Sequence, residues 1–256
     1  GNSGTTARLL LGLLAGRRVR ALLDGDASLR SRPMGRVVAP RRARGADVAY
    51  RGAEGRLPLL VTGAALRGGE HAMASPSAQV ASALLLAALS STAPVTVRGC
   101  RGARDHTPRL LAMMGADLGG WAPGDDAVTL RPGPPLRAID HDIPSDPSSA
   151  AFLLGAAALV PGSRVSVPGV LLNPTRGGFL AVLREMGADL AIAPEAGAEA
   201  GAEPTAAVTV GAGPLRAVRI EGAGRVAALV DELPLLAVLA ARARGTPELR
   251  DAAELR

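Results

Sequence analysis

The residues best suited to chemistry in this sequence are arginines and the small polar residues that open its apolar helices. Every Lys-or-Arg position is Arg, 29 in all. A guanidinium is a planar fork of donors that matches phosphate and carboxylate oxygens. Arg30, Arg32 and Arg36 cluster around the stretch SLRSRPM. Four apolar segments begin near Ser3, Ser75, Ser145 and Asp231, and their first residues are rich in Ser, Thr, Asp and Pro. Such starts leave backbone N–H groups unpaired, with a partial positive charge. Gln79, one turn into the second segment, can donate and accept at once. Asp231 heads the fourth. A protein that handles small anions is as compatible with this charge balance as one that binds polynucleotide.

Each of these residues also has an ordinary use. Gly4 at a helix start serves a tight turn. Ser75 and Pro76 suit the N-cap and first helical positions, which leaves Ser77, Ala78 and Gln79 merely exposed. Arg104 can flank a helix, Asp231 can cap one, and an arginine-rich loop can simply be solvated.

Other chemistry finds little support. Three scattered His and one Cys offer no metal-ligand spacing, and there is no GxxxxGK[ST] loop. No metal or organic cofactor is expected. Cys100 ends an apparent strand, VTVRGC, and reads as buried filler rather than a nucleophile. A lone cysteine fits a reducing compartment. The net charge of +6 is weak support for nucleic acid, because Arg without Lys is what a GC-rich genome writes at tolerant positions. Aromatics at 2% leave no stacking platforms. No apolar run reaches the ~18 residues of a membrane span, and the opening GNSGTTAR does not read as a signal peptide.

The elements that must position these residues repeat. Gly-Ala-Asp recurs at Gly45-Ala46-Asp47, Gly115-Ala116-Asp117 and Gly187-Ala188-Asp189, spaced by 70 and 72 residues. Ahead of the last two lie a β-branched run, a polar turn and an amphipathic helix, and another strand is expected after each. The Gly suits the position just past a helix end. The unit reads as strand, buried helix, strand, second helix, strand pair, a βαβαββ pattern in an α/β fold. The buried helices should be covered on most sides. Ala196–Ala207 reads as a surface loop and Leu136–Pro147 as a crossing between two halves, 1–141 and 142–256. The chain begins at a helix and stops inside a fourth unit, so both ends read as cut.

Seven short strings, in order along the chain, carry a family resemblance: GNSGTTAR at 1–8, GDASLRSRPM at 25–34, SAQVASALLL at 77–86, RDHT at 104–107, DPSSAAF at 146–152, NPTR at 173–176 and DELP at 231–234. Together they resemble the 5-enolpyruvylshikimate-3-phosphate (EPSP) synthases. The resemblance implies the two-domain enolpyruvyl transferase fold, here incomplete, with buried helices aiming their N-termini at a cleft. It implies transfer of the enolpyruvyl group of phosphoenolpyruvate to the 5-hydroxyl of shikimate-3-phosphate, in the route to chorismate and aromatic amino acids.

By the same resemblance, Gly4, Arg32 and Gln79 meet phosphoenolpyruvate, and Ser77, Ala78, Gln79, Arg104 and Asp231 meet shikimate-3-phosphate. Asp231 also takes part in deprotonating the 5-hydroxyl. His106 reads as structural. An Ala at Gly4 is associated in the family with tolerance of glyphosate, so Gly4 implies a sensitive-type site. The family's Lys-Ser and Lys-Glu-Ser-Asp-Arg segments do not occur in these 256 residues, which are therefore expected to be inactive alone. The intact enzyme is expected to be cytoplasmic and monomeric, without nucleic-acid or membrane partners. Two rival readings are the sister transferase acting on UDP-N-acetylglucosamine and a non-catalytic remnant or RNA-end-binding relative.

Overall fold

The computed structural model describes residues 1–195 and 202–252. The chain divides into two compact units, Gly1–Ile139 and Asp140–Arg256, with a separate hydrophobic core in each.

Unit 1 opens with α1 (Gly4–Ala15), β1 (Arg20–Leu23), the short α2 (Ala27–Ser31), α3 (Gly35–Arg42), β2 (Asp47–Tyr50) and β3 (Leu59–Thr62). The three strands form an antiparallel sheet in the order β1-β3-β2. The second repeat follows: β4 (Gly69–Ala72), α4 (Ala78–Ala88), β5 (Val95–Arg98), α5 (His106–Met113) and β6 (Ala127–Leu130), with sheet order β4-β5-β6. β3, β5 and β6 alternate inward and outward residues, so Leu59, Val61, Val95, Val97, Val128 and Leu130 line the core. The first strand pair of this sheet, β4 with β5, is parallel.

Unit 2 contains α6 (Pro147–Leu159), β7 (Arg164–Leu171), α7 (Gly178–Glu185), β8 (Asp189–Pro194) and β9 (Thr205–Gly211), with sheet order β7-β9-β8. Then come β10 (Arg219–Ile220), α8 (Ala223–Ala227), α9 (Leu233–Arg242) and β11 (Glu248–Leu249), β10 pairing parallel with β11. The leading strand expected in this unit shrinks to one parallel bridge, Ser145 to Val170. The expected loop at 196–207 is partly strand, since residues 205–207 belong to β9; residues 196–201 lie outside the described residues.

The Gly-Ala-Asp repeat has one structural meaning three times over. Gly45, Gly115 and Gly187 all have φ between 82 and 96°. Each amide returns to the carbonyl three residues before it, and the following Ala amide to the carbonyl five residues before itself: Arg42 and Arg41, Ala112 and Leu111, Arg184 and Leu183. This is the Schellman closure of a helix, which needs a residue tolerant of the left-handed region. A strand follows at Asp47 and Asp189, but not at Asp117. There Asp117 Oδ1 accepts the Gly119 amide at 2.9 Å and turns the chain.

The buried helices are not equally covered. α4 is buried at every residue from Val80 to Leu85 and packs against α1, α3, α5 and β5. The other three leave apolar edges open: Leu10 on α1, Phe152 and Leu153 on α6, and Val238 on α9. The expectation of burial on most sides therefore holds fully only for α4. No helix among the described residues is long and apolar enough to cross a membrane.

The repeat exposes an anomaly in α3. Counting back from the closing Gly, Arg41 occupies the position of Leu111 and Leu183, and Arg44 that of Met114 and Met186. Arg41 is fully buried. Its Nη1 donates to the Val37 carbonyl, while its Nε and Nη2, like Nε of Arg44, have no hydrogen-bond partner among the described residues. Desolvation, and then Arg44, hold its pKa down to about 9. A charge without a counter-ion in a core costs more than an apolar residue of similar volume. Arg41→Leu is therefore expected to stabilise the protein by about 1–4 kcal/mol, read as a higher urea midpoint. The unfolded chain holds this proton more tightly than the folded one, so the unsubstituted protein should gain stability as pH climbs above about 9. Arg41→Leu should lose that component; an equal or lower midpoint would contradict the assignment.

Candidate functional site

In unit 1 the site grows from two helix starts set side by side. Ser3 caps α1, its hydroxyl accepting the Thr6 amide at 3.1 Å. Ser77 caps α4 and accepts the Val80 amide. The cap thus falls on Ser77, not Ser75, because Ser77 is the residue with extended backbone directly before the first helical turn. Its own O–H donates to no described residue. Ala78 is the first helical residue, and Gln79 follows. Gln79 Nε2 donates to Thr5 Oγ1 at 2.9 Å and joins the two helix starts.

Small residues allow the two helices this approach. A Cβ on Gly12 of α1 would collide with the Ala83 carbonyl of α4, and one on Gly16 would lie 2.9 Å from the Ala87 carbonyl oxygen. Backbone therefore meets backbone along this seam, and only glycine fits.

Arginines close over the start of α1. A Cβ on Gly4 would lie 2.8 Å from Nη1 of Arg8 and 3.1 Å from Nη1 of Arg32. Arg32 follows α2 and donates to Asn2 Oδ1 at 2.8 Å. Arg8 donates to the Pro33 carbonyl at 3.0 Å. Burial, then Arg36 and Arg32, lower the pKa of Arg8. Among the described residues no carboxylate pairs with Arg8, Arg32 or Arg36. Arg30, by contrast, is committed to Asp24, Nε to Oδ1 at 2.8 Å. Two positive helix ends and converging cations are chemically suited to an anion.

Arg104 stands exposed just ahead of Asp105, which holds the N-cap position of α5. Thr107 ties that helix to α4 by donating to Ser82 Oγ at 2.7 Å. His106 is the first residue of α5.

Asp231 belongs to unit 2. It does not cap α9: the helix starts at Leu233, and Glu232 holds the cap position without a side-chain cap bond. Asp231 lies 3.6 Å from Nη1 of Arg176, a residue of the NPTR turn. That guanidinium also donates to Asp146 Oδ1 and Ser148 Oγ, each at 2.8 Å.

The structure thus brings Gly4, Arg32 and Gln79 together around α1, with Ser77 and Ala78 beside them on α4. Arg8 and Arg176 sit at the heart of the two clusters, yet sequence reasoning gave neither a role. Both lay inside matched strings, and Arg8 falls one helical turn after Gly4, which was the available signal. Cys100 is poorly suited to attack: burial and Asp126 push its thiol pKa up to about 11, and its Sγ faces the Val97 carbonyl at 3.5 Å.

The fold is that of the enolpyruvyl transferases. It superposes on the enolpyruvyl transferase NikO from Streptomyces tendae with a TM-score of 0.68, covering 95% of this chain and 55% of that one; at 18% identity the likeness speaks for the fold alone. Within that fold the chain belongs to the EPSP synthase (3-phosphoshikimate 1-carboxyvinyltransferase) family, whose profile matches residues 1–256. It is 47% identical over 259 residues to the 3-phosphoshikimate 1-carboxyvinyltransferase of Chloroflexus aggregans, covering all of this chain and 58% of that protein. An EPSP synthase structure from Acinetobacter baumannii matches with a TM-score of 0.87 and 37% identity, over all of this chain and 57% of that one. The chain thus spans under three fifths of the length of these relatives.

The Gly12 seam sets the spacing of the helix starts. Gly12→Ala should force α1 and α4 apart at a cost of about 1–3 kcal/mol. A lowered thermal midpoint, with loss of the Gln79–Thr5 bond in a crystal structure, is the expected result; an unchanged midpoint would contradict the seam.

Proposed function

We propose that these residues serve an EPSP synthase reaction, the transfer of the enolpyruvyl group of phosphoenolpyruvate to the 5-hydroxyl of shikimate-3-phosphate. The observation that carries it is the amide of Gln79 joining two helix starts, with the Arg32 guanidinium against Gly4 at the first of them. Both proposed substrates are phosphorylated, and phosphoenolpyruvate adds a carboxylate. The two compact units are, in this reading, parts of the family's two domains.

Ser77 and the Ala78 backbone take the shikimate phosphate, with Arg104 as a further contact. Ser77 suits this because its oxygen already accepts from Val80 and its proton remains to be given. Gln79 serves both substrates. Arg32 and the Gly4 backbone take the phosphate of phosphoenolpyruvate, where a side chain on Gly4 would crowd the ligand. Glyphosate, which likewise carries a phosphorus oxyanion and a carboxylate, is expected to use the same place.

Asp231 binds the 5-hydroxyl and helps remove its proton. The oxygen adds to C2 of phosphoenolpyruvate while its methylene carbon gains a proton. The tetrahedral adduct then loses that carbon's proton and inorganic phosphate, leaving the enol ether. These steps are proton transfers and charge stabilisation, which arginines, amides and a carboxylate can supply. Residues acting as a unit lose most of their effect when some are missing. The 256 residues contain no lysine, while the family's motifs use lysines, so alone they should bind and not turn over. The enzyme is expected to work in the cytoplasm, where both substrates arise.

Calorimetry tests this reading. Shikimate-3-phosphate should bind and UDP-N-acetylglucosamine should not. Gly4→Ala should weaken phosphoenolpyruvate and glyphosate roughly tenfold, measured with shikimate-3-phosphate present. Binding of UDP-N-acetylglucosamine, or of RNA with no response to shikimate-3-phosphate, would sink the proposal.

A further inference from the structure

Arg176 ends the turn Pro174–Arg176, and that turn is built with unusual care for one side chain. Asn173, fully buried, accepts from the Thr175 amide at 2.9 Å and its hydroxyl at 2.6 Å. These bonds fix the backbone that aims Arg176. The guanidinium itself is nearly buried, at 11% exposure.

Its partners divide between the starts of two helices. On α6, Asp146 is the N-cap: Oδ2 accepts the Ser149 amide at 2.9 Å, and Oδ1 is left for Arg176 at 2.8 Å. Ser148, in the first turn of α6, accepts from Arg176 and donates to Glu232. On the α9 side, Nη1 of Arg176 stands 3.6 Å from Asp231 Oδ2.

A carboxylate just ahead of a helix is normally drawn onto the free amides of its first turn. Two acidic residues, Asp231 and Glu232, stand in that place before α9, yet Glu232 makes no cap bond and turns to Ser148. Asp231 pairs with Arg176, and at 3.6 Å that attraction is ionic and falls short of a hydrogen bond.

We infer that Arg176 is the positioning residue for Asp231, its ion pair holding the carboxylate in place for the substrate hydroxyl. This rests on the proposed role of Asp231. Arg176 touches no substrate and acts through its neighbour.

The experiment is a calorimetric double-mutant cycle on the protein of this sequence, with shikimate-3-phosphate and its 5-deoxy analogue as ligands. The unaltered protein should prefer the hydroxyl-bearing ligand by roughly tenfold. Arg176→Gln should erase that preference while leaving affinity for the 5-deoxy ligand unchanged. Arg176→Lys, which keeps the charge, should restore part of it. In an Asp231→Asn background, Arg176→Gln should add nothing. A preserved preference in Arg176→Gln, additive losses in the double variant, or equal losses for both ligands would each make Arg176 a mere brace and overturn the inference. Failure of the unaltered protein to bind either ligand would overturn the reading of the site, and this inference with it.

Discussion

Backbone meets backbone where Gly12 of α1 faces the carbonyl of Ala83 in α4, and the mouth of unit 1 depends on that approach. Two helices this close bring their starts within reach of one amide side chain, and Gln79 spans the gap to Thr5. Each start carries a partial positive charge, so bringing them together is unfavourable without an anion. Arg8, Arg32 and Arg36 raise the positive field further; burial, and then Arg36 and Arg32, lower the pKa of Arg8. The packing of small residues is therefore what stores the electrostatic potential that a phosphorylated ligand would release.

Unit 2 solves the same problem with the opposite charge. The starts of α6 and α9 are also joined by side chains, but here the bridge is Arg176 among Asp146, Ser148 and Asp231, with Ser148 reaching Glu232. Unit 1 gathers cations at its helix starts, while unit 2 gathers carboxylates and neutralises them with one guanidinium. The difference matches the tasks proposed for them: holding anions in one, and taking a proton in the other.

Much of this was legible in the residues. The three Gly-Ala-Asp strings announced three helix ends, because each required a glycine in the left-handed region. The apolar segments announced buried helices, and their polar heads announced where N–H groups would be free. What the strings could not show was competition between neighbours. Ser75 and Ser77 are equally good caps in sequence, and the backbone chose Ser77. Asp231 and Glu232 both suit a helix start, but partners across the unit claimed them. Asp117 looked like the head of a strand until its side chain captured the Gly119 amide. Arg41 and Arg44 lie in an arginine-rich run, and only alignment to the repeat shows that they stand at core positions.

The account turns on an anion seated at the paired starts of α1 and α4. Backbone amide NMR during titration with shikimate-3-phosphate reads this most directly. The largest shifts should fall on Ala78 and Gln79, with Thr5 following as the Gln79 bond adjusts. Largest shifts instead at exposed arginines remote from those starts, such as Arg17 and Arg18, would mean that charge alone attracts the ligand and that the helix starts do not hold it.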